Sequence, residues 1–406
     1  MRPTHITAAS TRQAFSRWRV LGVACLAHAL HDGYSSMIYL LLPVWQAELG
    51  LNLAEIGILK TLYSGGMAVG QMPAARLGER WSERLLLFAG TLLTAAAVFA
   101  FHRATSALIL GLLLVAGGLG ASVQHPLAST LISKTYAGSA LRTTLGTYNF
   151  AGDLGKVVVP GFLTVLIAGL GWRTGTETLG ALGVAIAVIL LVTLVSRGAS
   201  FGSQNRPTAA YRPALQHSIR RRGFAALSVV GMLDSATRTG FLTFLPFVLA
   251  GKGANTAVIG AALSLIFAGG AAGKFACGAL ATRIGILRTV AVTEIGTALA
   301  IVLLLVLPLS VCFVLMPALG VALNGTSSVL YGTVPDLAPK GREARAFGLF
   351  YTVTIGADAL APTVYGMVGD TIGLVRSIVL VAMINLVILP LLVVLRPALQ
   401  RNERMS

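Results

Sequence analysis

The stretch that decides the fold is VLGVACLAHALHDGYSSMIYLLLPVW, residues 20–45. It is apolar and long enough to cross a bilayer as a helix, because about 20 residues span the hydrocarbon layer. Asp32 nevertheless lies near its middle, with His28 and His31 beside it. A carboxylate at that depth costs about 2.5–3.5 kcal/mol on insertion scales, so it is tolerated where it faces protein or a watery cavity. The stretch predicts a membrane helix that carries a working site.

The same arrangement recurs about half a chain later. Residues 230–249 place Asp234 before a proline much as Asp32 precedes one. Residues 66–84 also align with residues 269–287 at a single offset. Internal repeats of this kind predict two six-helix halves in parallel orientation, with a binding site between them near the middle of the membrane.

Composition fixes the broad class. The 406 residues are 55% hydrophobic and 11% charged, which indicates a polytopic membrane protein. The apolar runs are continuous, whereas strands of a membrane barrel would alternate in segments of about 10 residues. The net charge of +17 comes from Lys and Arg in short segments between the runs, as in cytoplasmic loops, so nucleic acid is not an expected partner.

No cofactor is predicted from the sequence. Cys25, Cys277 and Cys312 lie in apolar stretches without metal-ligand spacing. The sequence also contains no recognisable phosphate loop, nucleophile triad or metal-ligand cluster. An enzyme is therefore not expected, and the lipid bilayer is the main surrounding.

Counting apolar runs predicts an all-α membrane protein of twelve transmembrane helices. The predicted helices are 20–45, 54–75, 85–102, 106–133, 142–168, 176–196, 223–249, 256–280, 288–308, 310–332, 344–368 and 373–395. Most basic residues between them fall on one side, so the positive-inside rule places both termini in the cytoplasm and requires an even number of spans. The opposite loops contain only Arg103, Arg173, Lys252 and Arg376.

These predictions divide the chain into five parts, which are a cytoplasmic N-terminal tail at 1–19, a six-helix bundle at 20–196, a basic cytoplasmic linker at 197–222, a second six-helix bundle at 223–396 and a C-terminal tail at 397–406. The linker is basic and contains Pro and Ser, as expected of a flexible segment at the membrane surface.

The loop ARLGERWSER, residues 75–84, resembles the signature that major facilitator transporters carry between helices 2 and 3. Glu79 stands at the acidic position and Arg80 at the arginine. A second copy at residues 278–285 has Arg283 but a threonine at the acidic position. In that family the loop holds the cytoplasmic side closed, so the resemblance implies gating roles for Glu79, Arg80 and Arg283. A solvated turn is the alternative.

Within that superfamily the chain is similar to the fosmidomycin-resistance type of exporter. The similarity rests on HALHD at 28–32, GLGASVQHP at 118–126 and AGDLG at 151–155, with Pro160 following in the same helix. It implies the major facilitator fold, a bacterial inner membrane location, proton-coupled export, a gating role for Pro160 and a monomer. Asp153 and Lys156 are charged where the family usually has uncharged residues, which suggests a different substrate.

The predicted proton-coupling residues are Asp32, His28 and Asp234. His28, Asp32, Ser35, Ser36 and Tyr39 follow one another at the three- to four-residue spacing of one helical face. A carboxyl group beside an imidazole that titrates near neutrality can take up a proton on one side of the membrane and release it on the other. We expect Asp32 to carry the proton and His28 to tune it. The alternative is that Asp32 only ties the helices together.

Further charges at membrane depth predict a polar cavity for an ionised solute. Asp153 and Lys156 are spaced i, i+3, and Asp234 and Arg238 are spaced i, i+4, so each pair is either an internal salt bridge or part of the binding site. Arg238, Lys156 and Lys274 have the chemistry to bind a carboxylate or phosphonate. The predicted cavity residues are Tyr39, His125, Tyr148, Asp153, Lys156, Arg238, Lys274 and Asp358. His125 has a second role open to it, bonding the backbone that the following proline frees.

The sequence thus predicts a secondary transporter that works by alternating access. Its cargo is expected to be a small, anionic, drug- or phosphonate-like compound exported against proton entry. A proton symporter that takes up an organic anion or metabolite is the alternative, because fold and titratable site would be the same. A receptor or intramembrane enzyme is disfavoured by the scarcity of soluble segments.

Overall fold

The computed structural model describes residues 8–194, 217–338 and 343–403. Within these ranges the chain is almost entirely α-helical and contains no β-strand. The helices are α1 Ala8–Leu49, α2 Leu53–Arg80, α3 Glu83–Ala100, α4 Ala107–Ala121, α5 Gln124–Thr135, α6 Gly138–Leu194, α7 His217–Gly251, α8 Thr256–Ile284, α9 Ile286–Val306, α10 Leu309–Leu337, α11 Glu343–Ile372, α12 Leu374–Leu386 and α13 Ile388–Glu403. The all-helical prediction is confirmed for these residues.

Several helices extend beyond the apolar runs that were used to predict them. α1 begins inside the predicted tail 1–19, α7 begins inside the predicted linker 197–222, and α13 continues into the predicted tail 397–406. These polar segments lack the hydrophobic signal that set the predicted boundaries, yet they continue helices that are already nucleated. The segment 169–175, which was predicted to be a loop, lies within α6. Only Gly171 has a non-helical backbone there, with φ 78° and ψ 163°.

A break in the predicted helix 106–133 falls next to His125-Pro126. α4 ends at Ala121 and α5 begins at Gln124, so the break falls directly before this pair. Pro126 lies in the first turn of α5, where its missing N–H removes no helical hydrogen bond.

Eight of the described helical segments are long and apolar enough to cross a membrane, and one of them, Thr143–Leu194, has 52 residues. The long helices α1, α2 and α7 are not among the eight. They carry the buried polar residues Asp32, Lys60 and Asp234. Polar residues lower the mean hydropathy of a helix, so the hydropathy signal is weakest where charges lie inside the protein.

Glycines allow close packing of the helices that surround the centre. A Cβ atom on Gly155 of α6 would overlap the backbone of Ala29 on α1. In the same way, a Cβ atom on Gly320 of α10 would overlap the backbone of Ile266 on α8. Small residues at such positions are how membrane helices approach one another in the absence of a hydrophobic driving force.

The N-terminal segment 8–194 contacts the C-terminal segment 217–403 where α2 begins and α11 ends. The two carboxylate oxygens of Asp370 accept hydrogen bonds from the backbone N–H groups of Leu53, at 2.9 Å, and Ala54, at 2.8 Å. Further along α2, Thr61 Oγ1 donates to the carbonyl of Ala359 at 2.6 Å. We call this region the Leu53/Asp370 end.

Asp370→Ala is expected to loosen the Leu53/Asp370 end. A carboxylate that accepts from a helix N-terminus contributes about 0.5–2 kcal/mol, which corresponds to a change of about 2- to 30-fold in an opening equilibrium. Hydrogen–deuterium exchange measured by mass spectrometry should therefore be faster in α11 peptides around Ala359. Glu55→Ala is the matched control, since Glu55 accepts from Asn52 N–H at the same helix start but within one segment. Equal effects of both substitutions would show that Asp370 does not join the segments.

Candidate functional site

A chain of alternating charges runs through the centre of the molecule. Lys156 Nζ lies 3.0 Å from Asp32 Oδ2 and 3.1 Å from Asp153 Oδ1. Lys274 Nζ lies 2.6 and 2.8 Å from the two oxygens of Asp153. Since Lys274 is on α8 and the other three are on α1 and α6, the chain of charges crosses from the N-terminal to the C-terminal segment.

The close approach of α1 to α6 explains this geometry. The predicted i, i+3 pair of Asp153 and Lys156 forms within α6. Gly152, next to Asp153, lies against α1, where a Cβ atom would come 2.6 Å from His28 Cε1 and 2.7 Å from Asp32 Oδ2. Any larger residue at position 152 would push Asp32 and His28 away from the lysine.

Three histidines surround the other face of the Asp32 carboxylate. His28 Nδ1 lies 2.8 Å from the carbonyl oxygen of Tyr148, and the His28 ring stacks on the Tyr148 ring at 4.0 Å. His28 Nε2 and His31 Nε2 lie 3.5 and 3.7 Å from Asp32 Oδ1. The ring of His125 meets His28 and His31 edge-on at 5.1 and 4.9 Å.

The carbonyl of Tyr148 sets the chemistry of His28. A carbonyl only accepts, so Nδ1 carries a hydrogen and neutral His28 presents a lone pair at Nε2. Nε2 is buried and has no hydrogen-bond partner. A proton taken up at Nε2 would therefore lie between the imidazole and the Asp32 carboxylate, in the arrangement expected of a proton-exchange site.

The same residues offer ligand atoms to a small cation. One atom each from His28, Asp32 and His125 lies within 4.8 Å of the others. However, the second oxygen of Asp32 already faces the Lys156 ammonium at 3.0 Å, and that charge opposes a second cation. The Lys156 ammonium therefore disfavours a metal ion at these atoms.

A second group of charges lies on α7 and α11. Arg238 approaches Asp358 to 3.5 Å, and Thr239 Oγ1 donates a hydrogen bond to the same carboxylate. Asp234 is buried one turn from Arg238, but the two do not form an ion pair within 4 Å. The i, i+4 salt bridge considered from the sequence is thus replaced by a pair between two helices. Tyr39 of α1 lies beside Thr239.

Lys60 was missed by the sequence reasoning. It lies on α2, is only 2% exposed, and donates to Ser64 Oγ at 2.8 Å. Its ammonium lies 4.9 Å from the centre of the Tyr39 ring and 5.8 Å from that of Tyr63. A lysine inside the predicted helix 54–75 was a signal that could have identified it.

The predicted gating residues are not brought together. Arg80 and Arg283 are exposed at the ends of α2 and α8, and the Glu79 side chain lies outside the described part of the chain. Pro160 is buried in α6, and its carbonyl accepts from Thr164 Oγ1 at 2.8 Å. Their gating roles stay predictions.

Comparisons with known proteins agree with this architecture. The chain is 25% identical over 378 residues to the fosmidomycin resistance protein of Escherichia coli K12, covering 91% of this chain and 90% of that protein. A probable L-galactonate transporter of the same organism is 28% identical over 146 residues, and that match spans only 35% of this chain and 31% of the transporter.

The fold matches solved structures over nearly its whole length. A bacterial homologue of the human lysosomal transporter Spinster, crystallised in an inward-facing and occupied conformation, superimposes with a TM-score of 0.80 at 16% identity, covering 95% of this chain and 98% of that one. This match shows the fold, while the resemblance inferred from the sequence motifs is confirmed by the family model and by the similarity to the fosmidomycin resistance protein.

The family assignment comes from the family model, which matches residues 24–362 and 227–404 and is described as Major Facilitator Superfamily. Proteins of this family are membrane transporters for small molecules and are not enzymes. The chain belongs to the Major Facilitator Superfamily.

Proposed function

We propose that the protein is a proton-coupled transporter of a small organic anion in the bacterial inner membrane, where it works as a monomer. In this proposal twelve helices cross the membrane, both termini are cytoplasmic, and the bundles 20–196 and 223–396 alternate in their access to the two sides. The Leu53/Asp370 end is then the extracellular end, since the basic loops lie at the other.

The observation that carries this proposal is the chain of charges from Asp32 to Lys274. A proton that neutralises Asp32 removes one of the two carboxylates that hold Lys156. The full charge of Lys156 then acts on Asp153, where it competes with Lys274 for the same oxygens. Protonation on α1 is thereby transmitted to the ion pair that joins the two segments, as alternating access requires.

Export in exchange for protons is the first candidate for the direction of transport. It rests on the similarity to the fosmidomycin resistance protein, which covers 91% of this chain. The cargo would be anionic, in agreement with the lysines and the arginine at the centre.

Uptake by proton symport is the second candidate, and the pairing of the central charges favours it. Lys156, Lys274 and Arg238 each face a carboxylate of the protein. Protonation of a carboxylate releases its cation, which then becomes available to an anionic solute. Proton and anion would therefore bind together, and such positive coupling is the requirement for symport.

A growth-inhibition panel tests the proposal. A hypersensitive bacterial host would express the full-length wild type or Asp32→Asn and be exposed to fosmidomycin, other phosphonates and cationic dyes. Protection against a phosphonate by the wild type alone supports export of an anion, and sensitisation supports uptake. Protection against the dyes alone would overturn the anion preference.

A further inference from the structure

A buried carboxyl group outside the Asp32 cluster has no role in the mechanism above. Glu294 lies about two turns into α9 and is 1% exposed. No lysine or arginine nitrogen of the described residues lies within 4 Å of it. An ionised carboxylate that is buried without a cation costs several kcal/mol, so its environment should favour the neutral acid.

One oxygen of the Glu294 carboxyl group has no hydrogen-bond donor. Asn385 of α12 is fully buried and uses its Nδ2 to donate to the Glu294 carbonyl oxygen at 2.9 Å. Its Oδ1 and the Glu294 Oε1 are both buried and without a hydrogen-bond partner. Two buried acceptors without a donor cost about 1–3 kcal/mol each. One added proton on the carboxyl group would supply a donor and remove the charge.

The groups near Glu294 lie on α7, α8, α10 and α12. Asp234 and Arg238 approach from α7, the Cys277 thiol from α8, Thr326 from α10 and Asn385 from α12. Asp234 is the acidic neighbour of Glu294. Arg238 is already paired with Asp358.

We propose that Glu294 is a second proton-binding group, which is a neutral carboxylic acid in this conformation and exchanges its proton with the central cavity through Asp234. The O–H proton of Glu294 passes to the Asp234 carboxylate, so one acid is formed and one is lost. Asp234 lies one turn from Arg238, whose side chain is 22% exposed. This inference deepens the proposed function by adding a proton site in the C-terminal segment.

Infrared spectroscopy of the purified full-length protein in lipid tests the proposal without a substrate. A protonated carboxylic acid has a carbonyl stretch well separated from the bands of carboxylates and amides. We expect wild type at neutral pH to show such a band and Glu294→Gln to lose it. The band should shift in D₂O, because the proton exchanges with solvent. In Asp234→Asn the band should stay but shift more slowly.

Two further variants control the experiment. Glu55→Gln removes an exposed carboxylate that accepts from Asn52 N–H, and it should leave the band unchanged. Asn385→Leu should move the band, because the Asn385 side chain faces the acid, and it provides a second test if Glu294→Gln folds poorly. An unchanged spectrum in both Glu294→Gln and Asn385→Leu would overturn the proposal. If the band behaves as expected but the growth panel finds no transport, the proposed function fails while the proton site stands.

Discussion

Asp32→Asn is expected to reduce strongly the transport that is driven by a proton gradient. The substitution keeps the shape of the side chain but removes the charge that faces Lys156 at 3.0 Å and two histidines. Lys156 keeps Asp153 as a partner, so the protein should still insert and fold. Coupling free energies of 1–3 kcal/mol correspond to factors of about 5–150, and gradient-driven accumulation should fall by that much.

The measurement is the accumulation of the compound that the growth panel identifies, in proteoliposomes with and without a pH gradient. Exchange of labelled for unlabelled compound at equal pH should persist in Asp32→Asn, since it needs no net proton movement. Glu48→Gln is a control on the same helix, because it removes a carboxylate of an exposed pair with Arg173, and such pairs contribute about 0–1 kcal/mol. Full gradient-driven accumulation by Asp32→Asn would exclude Asp32 from the coupling.

The spacing of residues along single helices predicted part of the charged site at the centre of the molecule. The pair of Asp153 and Lys156 forms as its i, i+3 spacing indicated. His28 and Asp32 share a helical face, as predicted from their i, i+4 spacing. Such contacts depend only on the geometry of one helix, which the sequence specifies directly.

The contacts between helices could not be predicted in this way. Lys156 pairs with Asp32, which is more than a hundred positions away, and Arg238 takes Asp358 as its partner instead of the nearby Asp234. These choices depend on which helix faces are adjacent, and no periodicity in a single sequence encodes that. We also predicted from the sequence that Lys156 and Arg238 bind solute. The sequence did not show that carboxylates of the protein already face these two side chains.

The sequence predicted the presence of a helix better than the residues at which it begins and ends. The sequence criterion was an apolar run, and the run in α1 starts near residue 20 although the helix begins at Ala8. Helices of a membrane protein extend beyond the hydrocarbon layer where their polar ends meet water and headgroups. Hydrophobicity therefore locates the crossing but not the end of the helix.

Asp153→Asn is expected to cause the largest loss of stability among single substitutions in the chain of charges. Asp153 is the shared partner of Lys156, at 3.1 Å, and Lys274, at 2.6 Å. Removing one partner of a buried ion pair costs about 3–5 kcal/mol. The two lysine side chains are 30% and 36% exposed, so solvent screening should reduce the cost to about 3 kcal/mol or less. Thermal unfolding of the purified protein should detect this loss.

Lys274→Met distinguishes two contributions to stability, that of the Asp153–Lys274 ion pair between the segments and that of the Asp153–Lys156 ion pair within α6. It leaves Asp153 paired with Lys156, so the loss of stability should be smaller than in Asp153→Asn. In the double variant Asp153→Asn/Lys274→Met the uncompensated ammonium of Lys274 is gone, and the combined loss should be smaller than the sum by about 0.5–3 kcal/mol. Strict additivity would mean that the two side chains do not interact. The coupling between the segments would then have to be carried by contacts such as those of Asp370, and not by the charges at the centre.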